Sequence, residues 1–180
     1  MLKKSLAALA ASVVLGVPAP GQEPTTNAPK FIKTTEAPGL KVSYLDFRWD
    51  EAAFTALEKG GAHPAAQRSW ALARLILAED PLKWNGKRIP VGPVLFVLNP
   101  GKGSVGPTLE ARYIDMRGVF VDMSVIAEPP PGETYQKAPA GFQIVDSVAP
   151  RLEVSVAEKG KGYDLSFHYG NRKATIRLDR

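Results

Sequence analysis

After Gly39 the chain is written largely in period two, the spacing that puts alternate side chains on one face of a β-strand. Leu40, Val42 and Tyr44 alternate with Lys41 and Ser43 and predict a first strand. Near the end Tyr163, Leu165, Phe167 and Tyr169 alternate with Asp164, Ser166 and His168, and Ala174, Ile176 and Leu178 with Lys173, Thr175 and Arg177. Gly170-Asn171 between these runs predicts a hairpin, as does Asn85-Gly86 ahead of the apolar run Val91 to Leu98. Leu109 to Ile114, Val119 to Ala127, Phe142 to Val148 and Leu152 to Ala157 complete the strands, set apart by glycine, proline or charged breaks.

One segment departs from that period. Asp50 is a good N-cap, Glu51 to Lys59 holds helix formers with an acidic first turn, and Gly60-Gly61 supplies a stop, so a short helix is expected there. Pro64 to Glu79 is ambiguous: Pro64 suits a first helical position, yet Trp70 to Leu77 is apolar on both faces of a strand. The expected fold is mainly β, an antiparallel β-sandwich, jelly-roll-like, with one short N-terminal helix. Trp84, Phe96, Val121, Val154, Leu165, Phe167 and Ile176 fall on apolar strand faces and are its expected core.

The first residues follow a third pattern. Met-Leu-Lys-Lys, an apolar stretch from Leu6 to Val17 too short to span a bilayer, and Pro18-Ala-Pro-Gly21 read as a secretory signal peptide over residues 1–21. That reading makes the protein exported, periplasmic or extracellular, with no transmembrane segment in the mature chain. Residues 22–38, rich in proline and threonine, read as a flexible tether, and residues 39–180 as a single domain. Without Lys3 and Lys4 the formal charge of +5 falls by two, and the remaining cations are dispersed among acids. Such a distribution argues against nucleic-acid binding. With no cysteine in the chain, disulfides, thiolate metal sites and a lipidated cysteine are all excluded.

Leu75 to Pro100 contains Asn-Gly-Lys-Arg-Ile-Pro-Val-Gly at Asn85 to Gly92, followed by an apolar strand that ends in proline. This run resembles the core of an exported bacterial β-sandwich family known only as a domain of unknown function. The resemblance covers about two-thirds of the mature chain and implies the same sandwich. It also favours a strand over Trp70 to Ala78. The polar Trp-Arg-x-Gly-x-Asn-Glu segment of that family is replaced here by Arg68-Ser-Trp-Ala-Leu-Ala-Arg74, so no family site carries over.

Of the apparent motifs, Gly101-Lys-Gly-Ser-Val-Gly106 has the glycine spacing of a dinucleotide fingerprint, but Pro107 and an extended-looking segment follow where a helix N-terminus is needed. His63 and His168 lack companions at ligand spacing and read as solvated surface residues, and no serine sits in a nucleophile elbow. Glu128 to Glu133 reads as a polyproline connection. No cofactor and no metal is expected. Asp115, Arg117, Asp122 and Ser124 form the candidate ligand-binding group, with Asp122 and Ser124 on one strand face. Two function classes follow: a non-catalytic exported sandwich binding an envelope component, glycan or protein partner, or an extracellular carbohydrate hydrolase using Asp115 and Asp122 as its paired carboxylates.

Overall fold

The computed structural model describes residues 31–92, 94–102, 104–113 and 133–180. Among these residues ten strands form two antiparallel sheets. The larger has the order β1 (Phe31–Ala37), β2 (Leu40–Leu45), β3 (Trp70–Ala78), β6 (Val94–Asn99), β7 (Thr108–Tyr113), β8 (Thr134–Pro139). The smaller has the order β5 (Lys87–Ile89), β4 (Leu82–Trp84), β10 (Gly162–Asp179), β9 (Gln143–Lys159). Among the described residues no helix is long and apolar enough to cross a membrane.

Both expected hairpin turns form. Asn85 and Gly86 take φ of 50° and 77°, which suits a two-residue turn joining Trp84 to Lys87. β10 doubles back at Gly170, whose φ is 59°. The hydroxyls of Ser166 and Thr175 are 2.7 Å apart, whereas nine residues of straight strand would separate them by about 30 Å. The arm before Gly170 pairs with β9, and Leu178 on the returning arm pairs with Trp84.

The inner faces meet in a shared core. Val42, Leu75, Phe96 and Leu109 of the larger sheet belong to one buried cluster with Trp84, Val154, Leu165, Phe167 and Ile176 of the smaller. The six described residues of the expected core are therefore buried, and Val121 lies outside the described residues. Phe96 is central, with ring centroids 6.1 Å from Phe167 and 6.5 Å from Trp84. The next residues along β6, Leu95 and Val97, join Leu45 and Ala71 in a second buried cluster. With both faces buried, β6 reads as a continuous apolar run rather than an alternation.

The helix α1 (Glu51–Lys59) starts and stops where its residues demand: Asp50 accepts a hydrogen bond from Ala53 N at 2.9 Å, and Gly60 has φ 74°. Its Phe54 enters an aromatic cluster, with centroids 5.2 Å from Phe142, 5.5 Å from Trp49 and 5.7 Å from Tyr169. Arg172, beside the β10 turn, grips Glu58 of α1 through Nε and Nη2 at 3.0 and 3.1 Å. The helix is thereby fastened to one end of the sandwich. Burial pushes the Tyr169 phenol up to about 12, so it stays a neutral donor, and it donates to the Arg48 carbonyl.

Several expectations need correction. Phe31–Ala37, expected to lie in a tether over 22–38, pairs with β2, so order begins at least eight residues before Gly39. Its Lys33 to Ala37 portion alternates half-buried with exposed, and backbone pairing on a sheet edge stabilises a strand too polar to read as one. Pro64–Gln67 is a 3-10 turn and Trp70–Ala78 is strand β3, so the ambiguous stretch is both. The two strands expected on either side of Pro150 are one, β9. Pro150 is tolerated because register shifts lie on both sides of the Gly170–Ala149 pair, and its carbonyl accepts from Trp49 N at 2.9 Å. β8 leaves no strand signal in the sequence, since Thr134 to Pro139 offers no apolar alternation. The strand expected over Val119 to Ala127 and the connection over Glu128 to Glu133 fall outside the described residues, apart from Glu133 itself.

Candidate functional site

The connection between β6 and β7 is tied to α1 by a backbone bond from Gly101 N to the Leu57 carbonyl, 2.9 Å. A Cβ at Gly101 would lie 2.6 Å from the Glu58 carbonyl oxygen, so only glycine allows this approach. Lys102 and Val105 then exchange backbone hydrogen bonds of 2.8 and 3.0 Å in a tight turn. The glycine motif therefore rests on the C-terminal end of a helix and runs on into β7, an arrangement opposite to the helix N-terminus that captures a pyrophosphate. Gly103 is outside the described residues.

Facing that turn, the chain leaves the 3-10 turn and enters β3 through Arg68 and Ser69. Between the two connections lies an open cleft of about 610 Å³, lined also by Thr108 of β7 and Lys137 of β8. Among the described residues three cations line it, Arg68, Lys102 and Lys137, and no carboxylate does. All three are exposed.

Below the cleft runs a chain of polar contacts. Ser69 Oγ donates to Asn99 Oδ1 at 2.6 Å, and Asn99 Nδ2 donates to Glu110 Oε2 at 3.1 Å. The other oxygen of Glu110 accepts from Arg112 Nε at 2.8 Å and Thr134 Oγ1 at 2.5 Å. Glu110 is only 4% exposed. Burial alone would raise its pKa, but the hydrogen bonds from Arg112, Thr134 and Asn99, with the Arg112 charge, outweigh it and hold the carboxyl below the usual carboxylate range. Each oxygen is thus committed to a donor, and the carboxylate serves to fix Asn99 and, through it, Ser69 at the cleft.

A depressed carboxylate pKa contributes stability that is complete above the unfolded value, about 4.3, and is lost as pH falls through the lower native value. Glu110→Gln is expected to cost about 1–3 kcal/mol at neutral pH, since a charge-assisted partner of Arg112 is removed. Below about pH 4 the gap between variant and wild type should close, because the wild-type carboxylate is being protonated as well. Urea melts across the acid range measure this. A gap that stays constant through the acid limb would contradict the assigned ion pair.

The candidate residues from sequence fare differently. Asp115, Arg117, Asp122 and Ser124 lie outside the described residues. His168, expected to be a solvated surface residue, is half-buried: its Nδ1 is 3.8 Å from Glu153 Oε2 and its Nε2 is 3.2 Å from the Ser147 carbonyl oxygen. It packs there because β9 pairs Glu153 directly opposite it. His63 precedes the 3-10 turn, its carbonyl accepting from Ala66 N at 2.9 Å. Among the described residues no three histidine, aspartate or glutamate side chains come together as metal ligands would.

The cleft residues were missed by sequence reasoning, although one signal exists. Thr108, Glu110 and Arg112 alternate with the buried Leu109 and Ala111, so a polar face on β7 is legible, whereas its meeting with Ser69 and Asn99 requires the strand order. The stretch Arg68 to Arg74 divides accordingly: Arg68 and Ser69 reach the cleft, while Arg74 Nε approaches Ser43 Oγ on β2 at 3.3 Å. Comparisons with protein-family models, with curated proteins and with solved structures found no match.

Proposed function

We propose that the protein is an exported, non-catalytic binding module that holds an envelope component or glycan in the cleft between the β3 entry and the β6–β7 connection. The observation that carries this reading is the bonding of the polar side chains there. Ser69 donates to an amide, not to a base, and the one carboxylate beneath it is saturated with donors. Nothing in that arrangement activates a nucleophile or holds a proton for transfer. A preformed concave site with fixed amides, hydroxyls and cations is suited to hold a polar ligand in one orientation. The cationic start, short apolar stretch and small-residue exit of residues 1–21 support export, and the likeness of Leu75 to Pro100 to an exported sandwich family agrees with it.

The test uses the full chain expressed with its leader. Intact mass of the exported fraction should correspond to a chain lacking about the first 21 residues, and that material should be retained on isolated envelope polysaccharide and eluted unchanged. Release of new reducing ends from the polysaccharide, abolished by Asp115→Asn or Asp122→Asn, would replace this reading with the hydrolase. Retention of Met1 on a cytoplasmic product would remove the export half of it.

A further inference from the structure

We infer that the cleft selects a saccharide carrying an anionic group, a carboxylate or a phosphate, and that Arg68, Lys102 and Lys137 are the residues that set this preference; the inference rests on the cleft being the binding site proposed above. The three cations sit on three separate pieces of chain: the approach to β3, the β6–β7 turn, and β8. Among the described residues none of their side chains has a carboxylate within ion-pair distance, unlike pairs such as Lys33 and Asp46, Lys159 and Asp164, or Arg177 and Asp179.

Among the described residues a carboxylate that could neutralise Lys137 is already engaged. Lys137 lies directly opposite Glu110 in the β7–β8 ladder, where a cross-strand ion pair would ordinarily form. Instead both oxygens of Glu110 are taken by Asn99, Arg112 and Thr134. Glu110 is paired with Arg112 at 2.8 Å, and the exposed Lys137 lines the cleft beside Arg68 and Lys102. Like charges converging on a concave surface raise the local concentration of an anion and repel cations.

The rest of the lining argues for a sugar rather than a bare anion. The cleft holds far more than one phosphate, and Ser69, Asn99 and Thr108 present hydroxyl and amide groups beside the cations. Ser69 and Asn99 are held in place by the Glu110 chain, so hydrogen bonds to ligand hydroxyls would form without much further ordering. An arginine matches a planar carboxylate or a phosphate with two parallel bonds, whereas the lysines act as point charges.

The experiment is an amide and side-chain NMR titration of the full mature chain with four probes: glucose, glucuronate, glucose 6-phosphate and inorganic phosphate. Glucuronate or glucose 6-phosphate is expected to shift Ser69, Asn99 and Thr108, more weakly as salt is raised. Whichever of the two binds more tightly identifies the carboxylate or the phosphate as the preferred group. Arg68→Gln and Lys137→Gln should each weaken that probe by roughly tenfold, while glucose and inorganic phosphate should bind the wild-type chain at least about tenfold more weakly than that probe does. Both positions are exposed and form no ion pair among the described residues, so the melting curves of the variants should match wild type, and that match is measured first. Equal binding of glucose and the charged sugars, unaffected by the two substitutions, would overturn the anionic preference and leave the cleft as the binding site. Polysaccharide retention with no probe shifting the cleft residues would overturn the site itself.

Discussion

Truncation of Phe96 to alanine is expected to remove about 3–5 kcal/mol of stability, the range for deleting a fully buried phenyl group. Phe96 has no exposed surface and sits mid-strand in β6, the strand whose residues Val94 to Leu98 are all buried. Its ring is one of the places where the two sheets touch, near Phe167 on the first arm of β10 and Trp84 on β4. A cavity at this position cannot be closed by a loop moving inward, because strands on both sides are held by neighbours: β3 and β7 flank β6, and β9 and β4 flank β10. Partial collapse is the main way a core reduces the cost of a deletion, so the upper part of the range is expected. Chemical denaturation with a shared slope for variant and wild type gives the value. A loss below about 1 kcal/mol would mean that Phe96 does not join the sheets.

How far such a core could be read from residues alone depended on whether one face of an element was buried or two. Leu165, Phe167 and Ile176 alternate with polar residues, and period two places them correctly. The turns at Asn85-Gly86 and Gly170 were equally legible, since a positive φ demands particular residues and those residues are present. So was α1, whose cap and stop are both local. β1 and β8 were not, because an edge strand is held by backbone ladders that leave little trace in side-chain character. Pro150 misled for a related reason: a proline forbids one hydrogen bond, and the bend of β9 around the β10 turn leaves that bond unneeded. The cleft was hidden most completely. Arg68, Asn99, Glu110 and Lys137 come from four separate places along the chain, and only the order β3-β6-β7-β8 gathers them.

Substitution of Gly170 by alanine is the other change expected to be severe, and it separates two costs that usually arrive together. At φ 59° any side chain is disfavoured, by roughly 1–2 kcal/mol. In addition, a Cβ at Gly170 would lie 2.2 Å from the Trp49 indole, well inside contact distance. The ring cannot simply withdraw, since it packs edge-on against Tyr169 at 4.8 Å and against Phe54 of α1 at 5.5 Å. Overpacking of this kind adds about 1–3 kcal/mol, so a total near 2–5 kcal/mol is expected, with a change in tryptophan emission as Trp49 shifts. Gly86 supplies the control: its φ is 77°, in the same region, and a Cβ there would meet nothing within 4 Å. Gly86→Ala should therefore show the backbone cost alone, roughly 1–2 kcal/mol, and leave the emission unchanged. Combining Gly170→Ala with Trp49→Ala should then recover part of the packing loss, a non-additivity that only residues in contact display. Equal losses for the two glycine variants, with strict additivity in the double variant, would show that Trp49 does not rest on the β10 turn.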